Sequence, residues 1–259
     1  MTRMRLVVVT TEEPTYIPKT FEGLFKTRLR ESIRLVVILP PFSGKKTILD
    51  VARGQATLGV RYFLFRGFQY AMSKALPDPI NRYSVEALAR KNRIPVMKVA
   101  DVNALGMIDT LRGMEPDLVI SVMASQIFSK RLISIPRWAA INVHPGRLPE
   151  YRGLMSNFWV LLNREAETSV TVHLINEAID GGEIVLEKSV PISEDETFHT
   201  LSNKTAKVSA DAVYDAVCLF EEKGGKPATI PNPAAKGSYF SFPRFDDARE
   251  FEKRGLRIL

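Results

Sequence analysis

Apolar and polar positions alternate along the 259-residue chain in blocks that predict a repeated strand–helix unit. "RLVVVT" (5–10) and "RLVVILP" (34–40) are short, almost unbroken apolar runs, the pattern of strands covered on both faces. A helical stretch over 17–31 lies between them, and two strands joined by a helix make a βαβ unit with a parallel pair. The rhythm recurs as a helix over 84–93 with Ser84 as its N-cap, a strand over 94–99, a helix over 104–114 and a strand over 117–122. A short helical piece near 129–134 precedes a strand ending at Asn142. Strands follow at 169–175 and 183–192, the second placed antiparallel at one side, and a long helix over about 197–223 closes the pattern. The expected fold class is α/β, with a mostly parallel sheet and helices on both faces.

Two segments depart from this rhythm. Residues 45–76 read as one long helix or a bent pair, with six cations against Asp50 alone and with Tyr62, Phe63, Phe65, Phe68 and Tyr70 crowding the middle. Packing on the core or against a second copy in a homodimer is the favoured reading of this insertion. An interfacial or partner-binding helix is the alternative, since cations beside aromatics suit a membrane surface. Residues 224–259 begin as a Gly/Pro-rich linker, "GGKPATIPNPAAKG", and continue into a tail. The tail is expected to fold back through Tyr239, Phe240 and Phe242, with Asp246 or Asp247 capping a last short helix. The expected organisation is a catalytic domain over 1–223 and an extension over 224–259.

Composition narrows the class. The chain is 45% hydrophobic and 25% charged, with a net charge of +7. That balance suits a folded domain and favours polyanionic or phosphorylated partners only weakly over simple solubility. No apolar run reaches the roughly 18 residues a membrane span needs, and no secretory leader is visible, so a cytoplasmic protein is expected. The single cysteine, Cys218, excludes an internal disulfide and a cysteine-built metal site, and its helical setting predicts inert packing. "PPFSGKKT" (40–47) fails as a phosphate-binding loop, because the glycine it needs five residues before Gly44 is Leu39.

Three histidines carry most of the candidate chemistry. His199, in "ETFHTLSNK", reads as a surface residue, and His173, in "SVTVHLI", as a buried structural one with a supporting role open to it. His144 differs. It ends "INVH", where Pro145-Gly146 breaks the strand, and side chains two apart share a face, so Asn142 and His144 project together at the strand's exit. Downstream, Asp180-Gly181-Gly182 reads by itself as a tight turn. If the strand ending at Asn142 neighbours the strand 169–175, Asp180 emerges beside His144, orients the ring and favours its protonated form.

"INVHPGRLPEYRG" followed by "SVTVHLINEAIDGGEIVLEKSVPIS" resembles the formyltransferases that use 10-formyltetrahydrofolate, over roughly residues 80–205 and more loosely over the first 40. The resemblance implies a Rossmann-like fold and carries the family's catalytic trio onto Asn142, His144 and Asp180. It implicates Gln126, Ile127, Phe128 and Ile133, with Asn176, Glu177, Ala178 and Ile179, in holding the folate, and it calls for no metal. The implied reaction moves a formyl group to an amine acceptor, with the Asn142 amide and a protonated His144 as donors to the developing oxyanion. Asp180 would relay the proton.

The acceptor is read from departures. Glycinamide ribonucleotide formyltransferases hold a phosphate in a Gly/Ser-rich loop after the first strand, where this chain has "TTEEPTYIP". Methionyl-tRNA formyltransferases generally add a C-terminal barrel, and only the 224–259 tail stands here, so tRNA is the second choice. "LMSNFWVLLNRE" resembles the Phe-Trp stretch of amino-sugar formyltransferases, a platform on which a sugar or base could stack, and helix packing explains it equally well. Gly146-Arg147 replaces a common Ser-Leu, which bears on acceptor contacts. An amino sugar or another small phosphorylated amine is the preferred acceptor. A formyltetrahydrofolate hydrolase and a non-catalytic folate- or partner-binding protein are the further alternatives.

Overall fold

The computed structural model describes residues 4–41, 56–77 and 80–259. The strands are β1 (Leu6–Thr11), β2 (Ile33–Leu39), β3 (Val96–Lys98), β4 (Leu118–Val122), β5 (Ala139–His144), β6 (Tyr151–Gly153), β7 (Glu167–Leu174), β8 (Ile184–Pro191) and β9 (Ser238–Phe240). The helices are α1 (Ile17–Lys26), α2 (Val60–Ala75), α3 (Val85–Lys91), α4 (Leu105–Met114), α5 (Lys130–Ile133), α6 (Ser156–Leu162), α7 (Phe198–Lys223) and α8 (Phe245–Lys253). Seven strands form one sheet in the order β3-β2-β1-β4-β5-β7-β8. The pairs from β3 through β5 are parallel, and β7 and β8 join antiparallel at the far side.

Alternation along each strand feeds two cores. Leu6 and Val8 of β1, with Val36, Ile38, Ile120, Ile141 and Val143, pack under α1 and α7. Val7 and Val9, with Leu35, Val37 and Val119, pack on the other face under α4 and α5. This is the α/β, Rossmann-like sheet with helices on both faces that the sequence predicts. Gly23 of α1 permits a close helix crossing, because a β-carbon there would lie 2.6 Å from the Ala210 methyl of α7. Among the described residues no helix is long and apolar enough to cross a membrane.

Most expected elements stand within a few residues of their reading, and the differences have physical causes. The helical stretch over 17–31 ends early: Thr27 is extended and caps a separate 3-10 turn, Arg28–Glu31. The first part of the insertion, 42–55, lies outside the described residues, including Lys45, Lys46, Asp50 and Arg53. In the described part, Gly59 (φ 98°) breaks the chain before α2, so residues 56–75 do not form one continuous helix. The N-cap of α8 is Arg244 rather than Asp246 or Asp247, although the Asp247 carboxylate does accept the Arg244 N–H at 2.7 Å.

The tail packs against the sheet's flank through Phe240 and Phe242, as expected, and through Phe251 besides. β9 pairs in parallel with β6, and Phe240 stacks between Tyr151 and Trp159 at 5.4 and 5.0 Å. Phe251, fully buried, stacks on Phe158 at 4.6 Å, whereas Tyr239 stays exposed. The carbonyls of Arg257 and Ile258 accept the N–H groups of Phe198 and His199, donors that the first turn of α7 leaves without intrahelical partners. Phe158 and Trp159 thus anchor the tail, and Trp159 Nε1 donates to Ser241 O at 3.0 Å.

Candidate functional site

The site forms where β5 meets β7. In their antiparallel register Asn142 lies opposite His173, and His144 opposite Thr171. All four side chains share the sheet face that Ala140 occupies further down β5. Asp180 arrives from the loop after β7 in the left-handed region (φ 49°). Gly182 makes that turn possible, because a β-carbon there would lie 1.8 Å from Leu174 O. The neighbouring strands predicted for β5 and β7 therefore bring Asn142, His144 and Asp180 together.

One carboxylate joins the group. Asp180 Oδ2 lies 3.6 Å from His144 Nδ1 and accepts the Gly153 N–H at 2.9 Å. Its Oδ1 lies 3.6 Å from His173 Nε2 and 3.5 Å from Asn142 Nδ2. His173 belongs to the constellation, which the sequence reading gave only as an open supporting role. Its Nδ1–H donates to Leu174 O at 2.8 Å, so Nε2 is the acceptor that faces Asn142 Nδ2 at 3.1 Å. With two acceptors beside it, the Asn142 amide must turn its nitrogen inward. Its Oδ1 is left without a hydrogen-bond partner among the described residues. The expectation of an Asn142 N–H aimed at a substrate oxygen is thus corrected in this arrangement, because both hydrogens face protein acceptors.

His144 is buried, and its Nε2–H donates to Tyr151 O at 2.7 Å, leaving Nδ1 toward Asp180. Burial pushes its pKa below the usual 6.5; the Asp180 charge and the Tyr151 carbonyl work the other way without overcoming it. The expected protonated form is therefore corrected: desolvation favours the neutral ring. For Asp180 burial works upward, but His173, the His144 charge and the Gly153 N–H hold its carboxyl down at about 2.

Gly146 and Arg147 have clear roles. A β-carbon on Gly146 would sit 2.8 Å from His144 Nε2, so glycine leaves the ring room to reach Tyr151. Arg147 pairs with Glu167 at 2.5 Å and Glu187 at 3.7 Å on β7 and β8. Two further residues lay beyond sequence reasoning. Asn232, from the Pro-rich linker, donates to Asp180 O and Gly182 O, both at 2.9 Å, and so ties the tail to the aspartate loop. Gly153 (φ 98°) fits against Phe240 O, which a β-carbon would approach to 2.2 Å. A single Asn among prolines gives no signal of either contact.

The remaining sequence candidates line two facing loops. Gln126 bridges Val102 N and Ala100 O at 2.8 and 2.7 Å, and Ile127 is 65% exposed. Phe128 is buried in the second core and Ile133 packs against it, so those side chains support the loop rather than line it. Across from them, Asn176 Oδ1 accepts the Ala178 N–H at 3.0 Å, Ala178 is exposed, and Ile179 is partly open. Glu177 reaches back to Lys130 at 2.8 Å, which shows that the two loops face each other. A cavity of about 660 Å³, bounded by Arg5, Arg112, Glu115 and Arg137, lies at the amino ends of β1 and β4. That is the opposite end of the sheet from the trio and the wrong end for an α/β ligand site.

His199 is half-buried rather than on the surface. Its ring meets Phe65 of α2 at 4.9 Å, Nδ1 lies 3.2 Å from Tyr16 Oη, and Nε2 lies 2.9 Å from Asn203. The covering helix is remote in sequence, which is why local polarity misled. In the loop after β1, Glu13 accepts the N–H groups of Thr15, Tyr16 and Ile17 at 3.0, 2.8 and 3.2 Å and pairs with Arg66 of α2. The protein's own carboxylate thus fills the anion position at the start of α1. Glu12 caps α3 through Val85 N at 3.0 Å, and burial raises its carboxyl above the usual range.

A family model described as Formyl transferase matches residues 80–217. The methionyl-tRNA formyltransferase of Geotalea uraniireducens (strain Rf4) is 34% identical over 146 residues, 56% of this chain and 45% of that protein. The chain thus spans under half of that curated relative. A phosphoribosylglycinamide formyltransferase structure from Anaplasma phagocytophilum superposes with a TM-score of 0.58 at 17% identity, covering 86% of this chain and 89% of that one. WlaRD, a sugar 3N-formyl transferase solved with dTDP and 5-N-formyl-THF, also gives 0.58 at 17% identity, covering 100% and 84%. At these identities the structures establish the shared fold.

Proposed function

Because this chain belongs to the formyl transferase family, we propose that it moves a formyl group from 10-formyltetrahydrofolate to the nitrogen of an amine acceptor. The observation that carries this reading is the convergence of Asn142, His144 and His173 on the single carboxylate of Asp180. The facing loops suit the folate chemically: exposed Ile127 and Ile179 offer apolar contact to a flat ring beside the Lys130–Glu177 pair. The folate supplies a formyl group on a nitrogen that leaves once it is protonated. This chain's residues would orient the partners and move the proton. Asn142 Oδ1 accepts an N–H of the neutral amine and aims its lone pair at the formyl carbon. As the new C–N bond forms, the amine proton passes to the His144–Asp180 pair, and the imidazolium so formed stabilises the negative charge on the formyl oxygen. The same proton then goes to the departing nitrogen as its C–N bond breaks, leaving a formamide and tetrahydrofolate.

An amino sugar or another small phosphorylated amine is the preferred acceptor. Glu13 already occupies the start of α1, which argues against a phosphate held there as in glycinamide ribonucleotide enzymes. Methionyl-tRNA is the second reading, favoured by the sequence relatives. The test supplies 10-formyltetrahydrofolate with nucleotide-linked amino sugars, charged initiator tRNA and glycinamide ribonucleotide, and follows products by mass. A formylated amine supports the transferase. Amine-independent release of formate would make the protein a hydrolase, and no release a binder; either result rejects the reading.

A further inference from the structure

The inserted helix α2 buries a mixed face and leaves an apolar one in the open. Inward, Tyr62 and Phe65 pack on the first core, with Tyr62 against Tyr16, while Arg66 pairs with Glu13 and Gln69 meets Thr15 at 2.5 Å. Its outward face is apolar, with Val60, Leu64 and Phe68 exposed by 72%, 64% and 60%, and Phe63 and Tyr70 open beside them. At roughly 100° per residue these five cover about half of the helix circumference. A surface helix ordinarily turns such a stripe to the core. This one is held from rolling over, because turning Leu64 and Phe68 inward would leave the buried Glu13 carboxylate without its guanidinium.

Charge selects the occupant of the stripe. α2 contains no Asp or Glu, and its exposed cations Arg61 and Lys74 border the stripe toward the two ends. A second copy laid antiparallel on this face would set cations against cations with no carboxylate of α2 between them, an unfavourable arrangement. An anionic lipid surface matches both features: the apolar side chains enter the headgroup boundary while Arg61 and Lys74 meet the phosphates. We propose that α2 docks this chain on an anionic membrane surface. Through Arg66 the helix is fixed to the loop after β1, at the carboxyl end of the parallel strands where Asn142 and His144 also lie. Docking brings that end of the sheet near the headgroups.

The experiment is co-sedimentation of the full chain with phosphatidylcholine vesicles, with and without about 30 mol % phosphatidylserine. The protein is expected to pellet with the anionic vesicles, to be released as salt screens the cations, and to stay in solution with the neutral ones. Leu64→Ser combined with Phe68→Ser leaves the net charge and the buried contacts unchanged. It is expected to melt with the parent and to lose about tenfold or more in partitioning. Absence of binding to the anionic vesicles overturns the proposal, as does binding that survives the double substitution, which would be mere adsorption of a basic protein. A dimer that the same substitution turns into monomer, with no vesicle binding by the parent, assigns the face to a second copy and also overturns it.

Discussion

Burial and the Asp180 carboxylate pull the His144 imidazole in opposite directions, and burial prevails. A histidine with a depressed folded pKa binds fewer protons than the unfolded chain between its folded value and about 6.5, so its contribution to stability rises with pH across that window. Asp180, held at about 2, contributes stability that is present above its unfolded value and lost as pH falls through about 2. Urea unfolding from about pH 7 down to about pH 5 is therefore expected to show falling stability in the parent and a shallower fall in His144→Asn. Equal slopes would contradict the buried neutral ring. For catalysis, Asn142→Ala, still folded, is expected to lower kcat by about 100-fold in a formyl-transfer assay, because the amine loses the Oδ1 that orients it. Gly146→Ser should reduce the rate and lower the melting temperature, because its β-carbon would lie 2.8 Å from both His144 Nε2 and Ser156 Cβ.

At the scale of elements, the turn after β7 and the anchor of α8 do the positioning. Gly182→Ala places a methyl where Leu174 O already lies, so it is expected to cost on the order of 1–3 kcal/mol and to lower activity by displacing Asp180. Phe251→Ala empties a fully buried stacked position on Phe158 and is expected to cost about 3–5 kcal/mol in denaturant unfolding. The strand repeat was legible because buried strands alternate with amphipathic helices, and period-two spacing placed Asn142 and His144 on one face. His173 was half legible: alternation put it on the site's face, but only the β5–β7 register shows that it opposes Asn142. His199, Asn232 and Phe251 were misread or missed because each is fixed by an element distant in the chain. Propensity and period report only neighbours.

Across the whole molecule, the C-terminal tail and the loops of the candidate site form one structure. Asn232 holds the backbone of Asp180, β9 presses on Gly153 whose N–H holds the Asp180 carboxylate, and the last residues satisfy the start of α7. The basic insertion is joined to the opposite side of the same end of the sheet through Glu13 and Arg66. The candidate site and the Glu13–Arg66 pair therefore lie at the carboxyl ends of β1, β4 and β5, where an open α/β sheet binds its ligands. The most direct test is a mass-resolved formyl-transfer assay comparing the parent chain with Asp180→Ala, using 10-formyltetrahydrofolate and the amine panel. A formylated amine from the parent, with product formation cut by about 100-fold or more in a folded Asp180→Ala protein, is the predicted result. Transfer that proceeds at the parent's rate without that carboxylate would contradict it.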